Sequence, residues 1–144
     1  MKLHGTHTFK ANSTLVFQAL LNPEVLKASI PNCEAVSYVD ANTLRLDVSS
    51  PLPGLKGTIS ANLKITRAQA PSFLELQLIR QGRGGSVNAT AQISLADEAN
   101  GTLLTYNANA DLEGPAAVAN NLLGESMVKS QLNGFFKNLE KSIG

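Results

Sequence analysis

Apolar residues recur at every second position through most of this chain, then adopt the helical period after Gly114-Pro115 and keep it to the end. Side chains alternate between faces in a strand and turn by about 100° per residue in a helix, so this single switch orders the elements: sheet first, one long helix last. The alternating runs put Leu44, Leu46 and Val48 on one face, then Ile59, Ala61, Leu63 and Ile65, then Leu74, Leu76 and Leu78. Val87, Ala89, Ala91, Ile93 and Leu95 follow, and finally Leu104, Tyr106, Ala108, Ala110 and Leu112. Arg45, Asp47, Ser60, Asn62, Glu75, Gln77, Asn88, Thr90, Gln92 and Asn107 occupy the opposite face. Such alternation describes antiparallel strands with one dry and one wet side. Turn residues at Asp40-Ala41-Asn42, Ala70-Pro71-Ser72, Gly82 to Gly85 and Asn100-Gly101 separate the runs. In the last segment Val118, Leu122, Val128, Leu132, Phe136, Leu139 and Ile143 share one stripe, which predicts a helix over roughly residues 115–141.

The first forty residues add three elements. Leu3, Gly5, His7 and Phe9 alternate with Lys2, His4, Thr6 and Thr8, the pattern of a half-buried strand. Asn12 or Ser13 can cap a short helix carrying Leu15, Val16, Ala19 and Leu20. Asn22 caps a second, with Pro23 in its first position and Pro31 beyond its end. An apolar sheet face and an apolar helix stripe must bury one another. The expected fold is therefore α+β: a curved antiparallel sheet of about seven strands around a C-terminal helix, with two short helices after the first strand closing one end. There is no repeat and no linker, so residues 1–144 are expected to form one domain.

Composition narrows the function classes. Only 16% of residues are charged and the formal charge is +1, without any basic run, which excludes the electrostatic footprint of a nucleic-acid binder. Cys33 is the single cysteine, so no intramolecular disulfide forms. The opening MKLHGTHTFK alternates instead of building an apolar block, and no stretch reaches the ~18 apolar residues of a membrane-spanning helix. A cytoplasmic protein is expected.

The element order is the helix-grip pattern, and particular residues resemble a known family. Leu21-Asn-Pro-Glu-Val-Leu-Lys-Ala-Ser-Ile-Pro-Asn-Cys-Glu34 is similar to the signature of the carbon monoxide dehydrogenase CoxG family, within the START-like (Bet v 1-like) superfamily. Met1-Lys2-Leu3 with Gly5, Gly54-Leu55-Lys56-Gly57, the glycines 82, 84 and 85, and Phe135-Phe136-x-Asn138-Leu139 extend the likeness over the whole chain. Asn32 stands where the family usually has glycine, a mild change because Asn also tolerates left-handed backbone. The resemblance implies a START-like cavity between sheet and helix holding an apolar small molecule, lipid or quinone-like. It further implies service to a molybdenum-containing carbon monoxide dehydrogenase or a related hydroxylase, in maturation or electron-acceptor delivery. Many family members continue into an apolar tail proposed to reach the membrane; this sequence stops at Gly144, and a membrane contact is not carried over.

No cofactor, metal cluster, serine triad or paired catalytic carboxylates can be read from the residues. His4 and His7 point to opposite faces of one strand and cannot share a metal. His7 faces inward, either as a buried or half-buried histidine with one hydrogen-bond partner or as a polar ligand contact. Cys33 reads as a packing residue, since neither histidine accompanies it in a recognisable motif. Glu125 interrupts the apolar stripe between Leu122 and Val128, and Arg80 continues the inward series of Leu74, Leu76 and Leu78. The two could therefore meet inside as a structural pair, the helix could simply enter solvent there, or Glu125 could be a polar anchor at the mouth of a cavity. The inward alanines leave the sheet shallow, so that either the helix packs close there or space is left over, and Leu52 and Leu55, set among Pro51, Pro53 and Gly54, could gate an opening. With Tyr106, these residues are the candidate ligand contacts. A cavity enzyme of cyclase or hydrolase type, or a protein–protein adaptor with a filled core, is the alternative to a binding module.

Overall fold

A computed structural model describes residues 1–49, 57–82, 85–114, 117 and 122–143. Strand β1 (Lys2–Phe9) leads into helices α1 (Ser13–Leu20) and α2 (Pro23–Ser29). Strands β2 (Cys33–Asp40), β3 (Thr43–Ser49), β4 (Thr58–Gln69), β5 (Phe73–Arg80), β6 (Ser86–Glu98) and β7 (Gly101–Glu113) follow, then helix α3 (Leu122–Ile143). The sheet has seven strands in the order β1-β7-β6-β5-β4-β3-β2, all antiparallel. This is the expected up-and-down meander, with β1 returning to pair with the last strand.

Local chemistry explains the ends of the short helices. The Asn12 side chain accepts from the Leu15 amide at 2.9 Å, and Asn22 accepts from the Glu24 amide at 3.0 Å with Pro23 next in line. Each cap satisfies a donor that the first helical turn leaves unpaired. Asn32 adopts φ 59°, the left-handed conformation for which asparagine substitutes tolerably for glycine. In α1 the buried arc is Val16, Phe17, Ala19 and Leu20. Leu15, expected on that arc, is instead 48% exposed, because Phe17 takes the inward position.

The core sits at one end of the grip. Phe9, Val16, Leu20, Leu74, Ile93, Leu95, Leu104, Phe136 and Leu139 form its buried cluster. Leu26, Leu44 and Leu46 make a second cluster, joined to the first through Leu63 and Phe135. Helices α1 and α2 plug this end, and polar anchors hold them there. Thr102 Oγ1 donates to the Ala11 carbonyl at 2.8 Å, Asn138 Nδ2 to the Ser29 carbonyl at 3.0 Å, and Tyr38 Oη to the Leu21 carbonyl at 2.6 Å. The Thr102 and Asn138 bonds satisfy part-buried carbonyls that would otherwise be left without a partner.

Candidate ligand-binding site

Burial falls away along the inward series of β5, β6, β7 and α3 in the same direction. On β5, Leu74 and Leu76 are buried whereas Leu78 and Arg80 are half-buried. On β6, Ile93 and Leu95 are buried and Val87, Ala89 and Ala91 are not fully so. On β7 the order is Leu104 and Tyr106 buried, then Ala108, Ala110 and Leu112 half-buried. Helix α3 repeats it: Leu139 and Phe136 are buried, Leu132, Val128 and Glu125 half-buried. The concave face is thus filled beside α1 and α2 and open toward the far end.

Strand register supplies the reason. Ala91 lies opposite Ala108 and Ala89 opposite Ala110, so four small side chains fall together on β6 and β7. Leu76 and Leu78 flank this patch from β5, facing Ala91 and Ala89. Methyl groups cannot span the ~10 Å between packed layers that larger side chains bridge elsewhere in the interior. The result is a row of small, half-buried side chains on the inward face of β6 and β7, of the apolar character that small-molecule sites have.

The candidate polar residues do not converge. The Arg80 guanidinium donates to the Gly85 carbonyl. Glu125 stands with Met1, Asp111, Leu112 and Glu113 around an open cleft of about 360 Å³. The expected meeting of Arg80 with Glu125 is not among the ion pairs of the described residues. Arg80 pairs in register with Val87 and that residue with Leu112, so Arg80 lies two strand spacings, about 10 Å, from the strand that Glu125 adjoins. Glu125→Leu is accordingly expected to change stability by no more than about 0.5 kcal/mol in thermal melts. A loss of several kcal/mol, restored in the Arg80→Met/Glu125→Leu double mutant, would reinstate the buried pair.

His7 lies in the closed end. Its Nε2 is 2.9 Å from Glu140 Oε2, and its ring is 4.7 Å from that of Phe9 and 5.7 Å from that of Phe136. It pairs with Leu104, eight residues along β7 from Leu112, or about 26 Å of strand. The reading as a half-buried histidine with one partner therefore holds, and His7 is separated from the open end. Glu140 was invisible as that partner, because 133 residues separate the two in sequence.

Val128 is half-buried, on the α3 stripe that carries Phe136 and Leu139. Leu52, Leu55 and Val118 lie outside the described residues, as does the side chain of Leu122. Cys33 donates weakly to the Ala35 carbonyl at 3.6 Å, and burial pushes its thiol up, away from the thiolate that a nucleophile needs. No group of three metal-ligating side chains occurs among the described residues. Nor is any described helix long and apolar enough to cross a membrane.

Tyr106 is the last buried inward residue of β7 before the half-buried Ala108. It is 4% exposed, packs 5.5 Å from the Phe136 ring, and burial raises its phenol above the ordinary value. Gly5 faces it across the β1–β7 ladder. A Cβ on Gly5 would come within 2.7 Å of Tyr106 Oη, so only glycine allows the phenol to lie flat against β1. Glycine inside a strand marks a close approach of this kind, and that signal was present in the sequence without its partner being identifiable.

Solved structures share this architecture. A conserved protein from Geobacillus kaustophilus has a TM-score of 0.91 at 24% identity, covering 99% of this chain and 95% of that one. Protein CV1439 from Chromobacterium violaceum gives 0.78 at 14% identity, covering 99% and 96%. A START superfamily protein from Mycobacterium smegmatis gives 0.74 at 14% identity, again covering 99% and 96%. These likenesses establish the helix-grip, START-like fold. No curated protein matches the chain. The model of the carbon monoxide dehydrogenase CoxG family matches residues 5–144, and this chain belongs to that family.

Proposed function

We propose that this protein is a non-catalytic accessory module that holds an apolar or quinone-like molecule between the sheet and α3. Its client would be a molybdenum-containing carbon monoxide dehydrogenase or a related hydroxylase, served in maturation or in delivery of an electron acceptor. The observation that carries the reading is the one-sided burial of the inward rows over the alanine patch. A ligand covering half-exposed Leu78, Val87, Leu112, Val128 and Leu132 gains about 25 cal/mol for each Å² of apolar surface removed from water. Family membership favours the accessory role.

Binding is preferred to catalysis because acid–base chemistry needs groups within hydrogen-bond reach of one reacting atom. Here Arg80 is engaged by Gly85, Glu125 stands at the rim, and His7 is held by Glu140 in the closed end.

Native mass spectrometry of the purified protein tests this reading, together with thermal melts in the presence of decylubiquinone. A co-purified apolar molecule that leaves on denaturation is expected. So is a rise in Tm with quinone concentration, because a ligand that binds only the folded state stabilises it by mass action. A protein that carries nothing and whose Tm is indifferent to the quinone would refute the proposal.

A further inference from the structure

A buried hydroxyl without a partner loses its hydration and gains nothing in return, and phenylalanine would fill the same volume without that loss. Tyr106 is in this position: its Oη is buried and makes no hydrogen bond among the described residues. Gly5 has given up its side chain to seat the ring, and the Phe136 ring packs against it, tilted by 37°. Along β7 the next inward residue is Ala108, opposite Ala91, where the alanine patch begins. Tyr106 therefore stands at the boundary between the filled core and the open half, at the deep end of the apolar surface. Leu3 and Leu132, both half-buried, pack against the same core cluster to which Tyr106 belongs.

We propose that Tyr106 Oη is the polar anchor of the site and donates a hydrogen bond to a carbonyl oxygen of the bound molecule. The inference rests on the ligand-binding reading above and adds the chemical class: an apolar frame bearing an acceptor oxygen at its leading end. Because burial raises the phenol, Tyr106 keeps its proton and remains a donor throughout the physiological range.

Two probes with the same carbon frame separate this role from packing: 2,3-dimethyl-1,4-naphthoquinone and 2,3-dimethylnaphthalene. Each is titrated calorimetrically into the wild type, Tyr106→Phe and Gly5→Ala. The wild type is expected to favour the quinone. Tyr106→Phe should weaken the quinone about tenfold, leave the hydrocarbon unchanged, and melt no lower than the wild type. Gly5→Ala keeps the hydroxyl but pushes it from its seat, and should also lower the preference for the quinone. Quinone binding by Tyr106→Phe as tight as that of the wild type would overturn the anchor. Equal weakening of both probes would do the same, by assigning the residue to packing. If Tyr106→Phe does not fold, Gly5→Ala decides: an undiminished quinone preference there overturns the proposal. A wild type that binds the hydrocarbon as tightly as the quinone overturns the anchor alone. One that binds neither overturns the ligand reading beneath it.

Discussion

Leu139→Ala is expected to destabilise the protein by about 2–5 kcal/mol, whereas Val128→Ala on the same stripe of α3 should cost less than about 1 kcal/mol. Leu139 is 0% exposed and belongs to the buried cluster with Phe9, Leu104 and Phe136. Its truncation leaves a cavity that surrounding side chains, already anchored to α1 and the sheet, cannot collapse to fill. Val128, three helical turns earlier, is only half-buried, so its methyl groups give up little packing when removed. Urea denaturation at constant m-value measures both. Equal losses would mean that the open half is as well packed as the closed half, and the proposed binding surface would go with it. The contrast should also shift with ligand. In the presence of a bound apolar molecule Val128 acquires neighbours, so the Val128→Ala penalty should grow while that of Leu139→Ala stays constant.

The second large effect belongs to a backbone position. Gly101→Ala is expected to cost about 3 kcal/mol or more, and to lower Tm by several degrees. Gly101 opens β7 after the Asn100 turn at φ 146°, a conformation that side chains rarely adopt. A Cβ there would stand 1.8 Å from the Phe9 carbonyl oxygen and 2.9 Å from its carbon. The obstacle is backbone of β1, which cannot rotate away as a side chain could. Relief requires the end of β1 to leave β7, where Phe9 pairs with Thr102 in the core. Gly82→Ala provides the comparison, with φ 135° but nothing within 4 Å of the added carbon. That change carries the conformational strain alone, about 1 kcal/mol. Similar melting of the two variants would show that β1 yields easily and that the clash is not the cause.

Both predictions concern properties that were unequally visible in the sequence. Gly101 was legible as a turn residue, since Asn-Gly between alternating runs is a hairpin signal that acts within four residues. Its contact with Phe9 was not, because nothing local relates position 9 to position 101. Leu139 and Val128 were equivalent on the helical stripe. Periodicity reports which face of an element is apolar, and carries no information about how much of that face is covered.

The same division runs through the candidate site. The alanines at 89, 91, 108 and 110 were legible as inward residues, whereas their assembly into one patch depended on the pairing of β6 with β7. Arg80 and Glu125 were placed together by face and stripe, and strand spacing set them apart. His7 was recognised as half-buried, and Glu140 became its partner only once the end of α3 lay against β1. Tyr106 read as one more inward side chain, until Gly5 and Phe136 enclosed its hydroxyl without a partner.

By itself the sequence determined the element order, the strand faces, the caps at Asn12 and Asn22 and the helix-grip fold, because alternation, helical period and capping act between residues a few positions apart. The tertiary structure alone decided which half of the grip is filled, which polar groups meet and where a hydroxyl is left unpaired. Those outcomes depend on register and layer spacing, which join residues a hundred positions apart and leave no mark on their immediate neighbours.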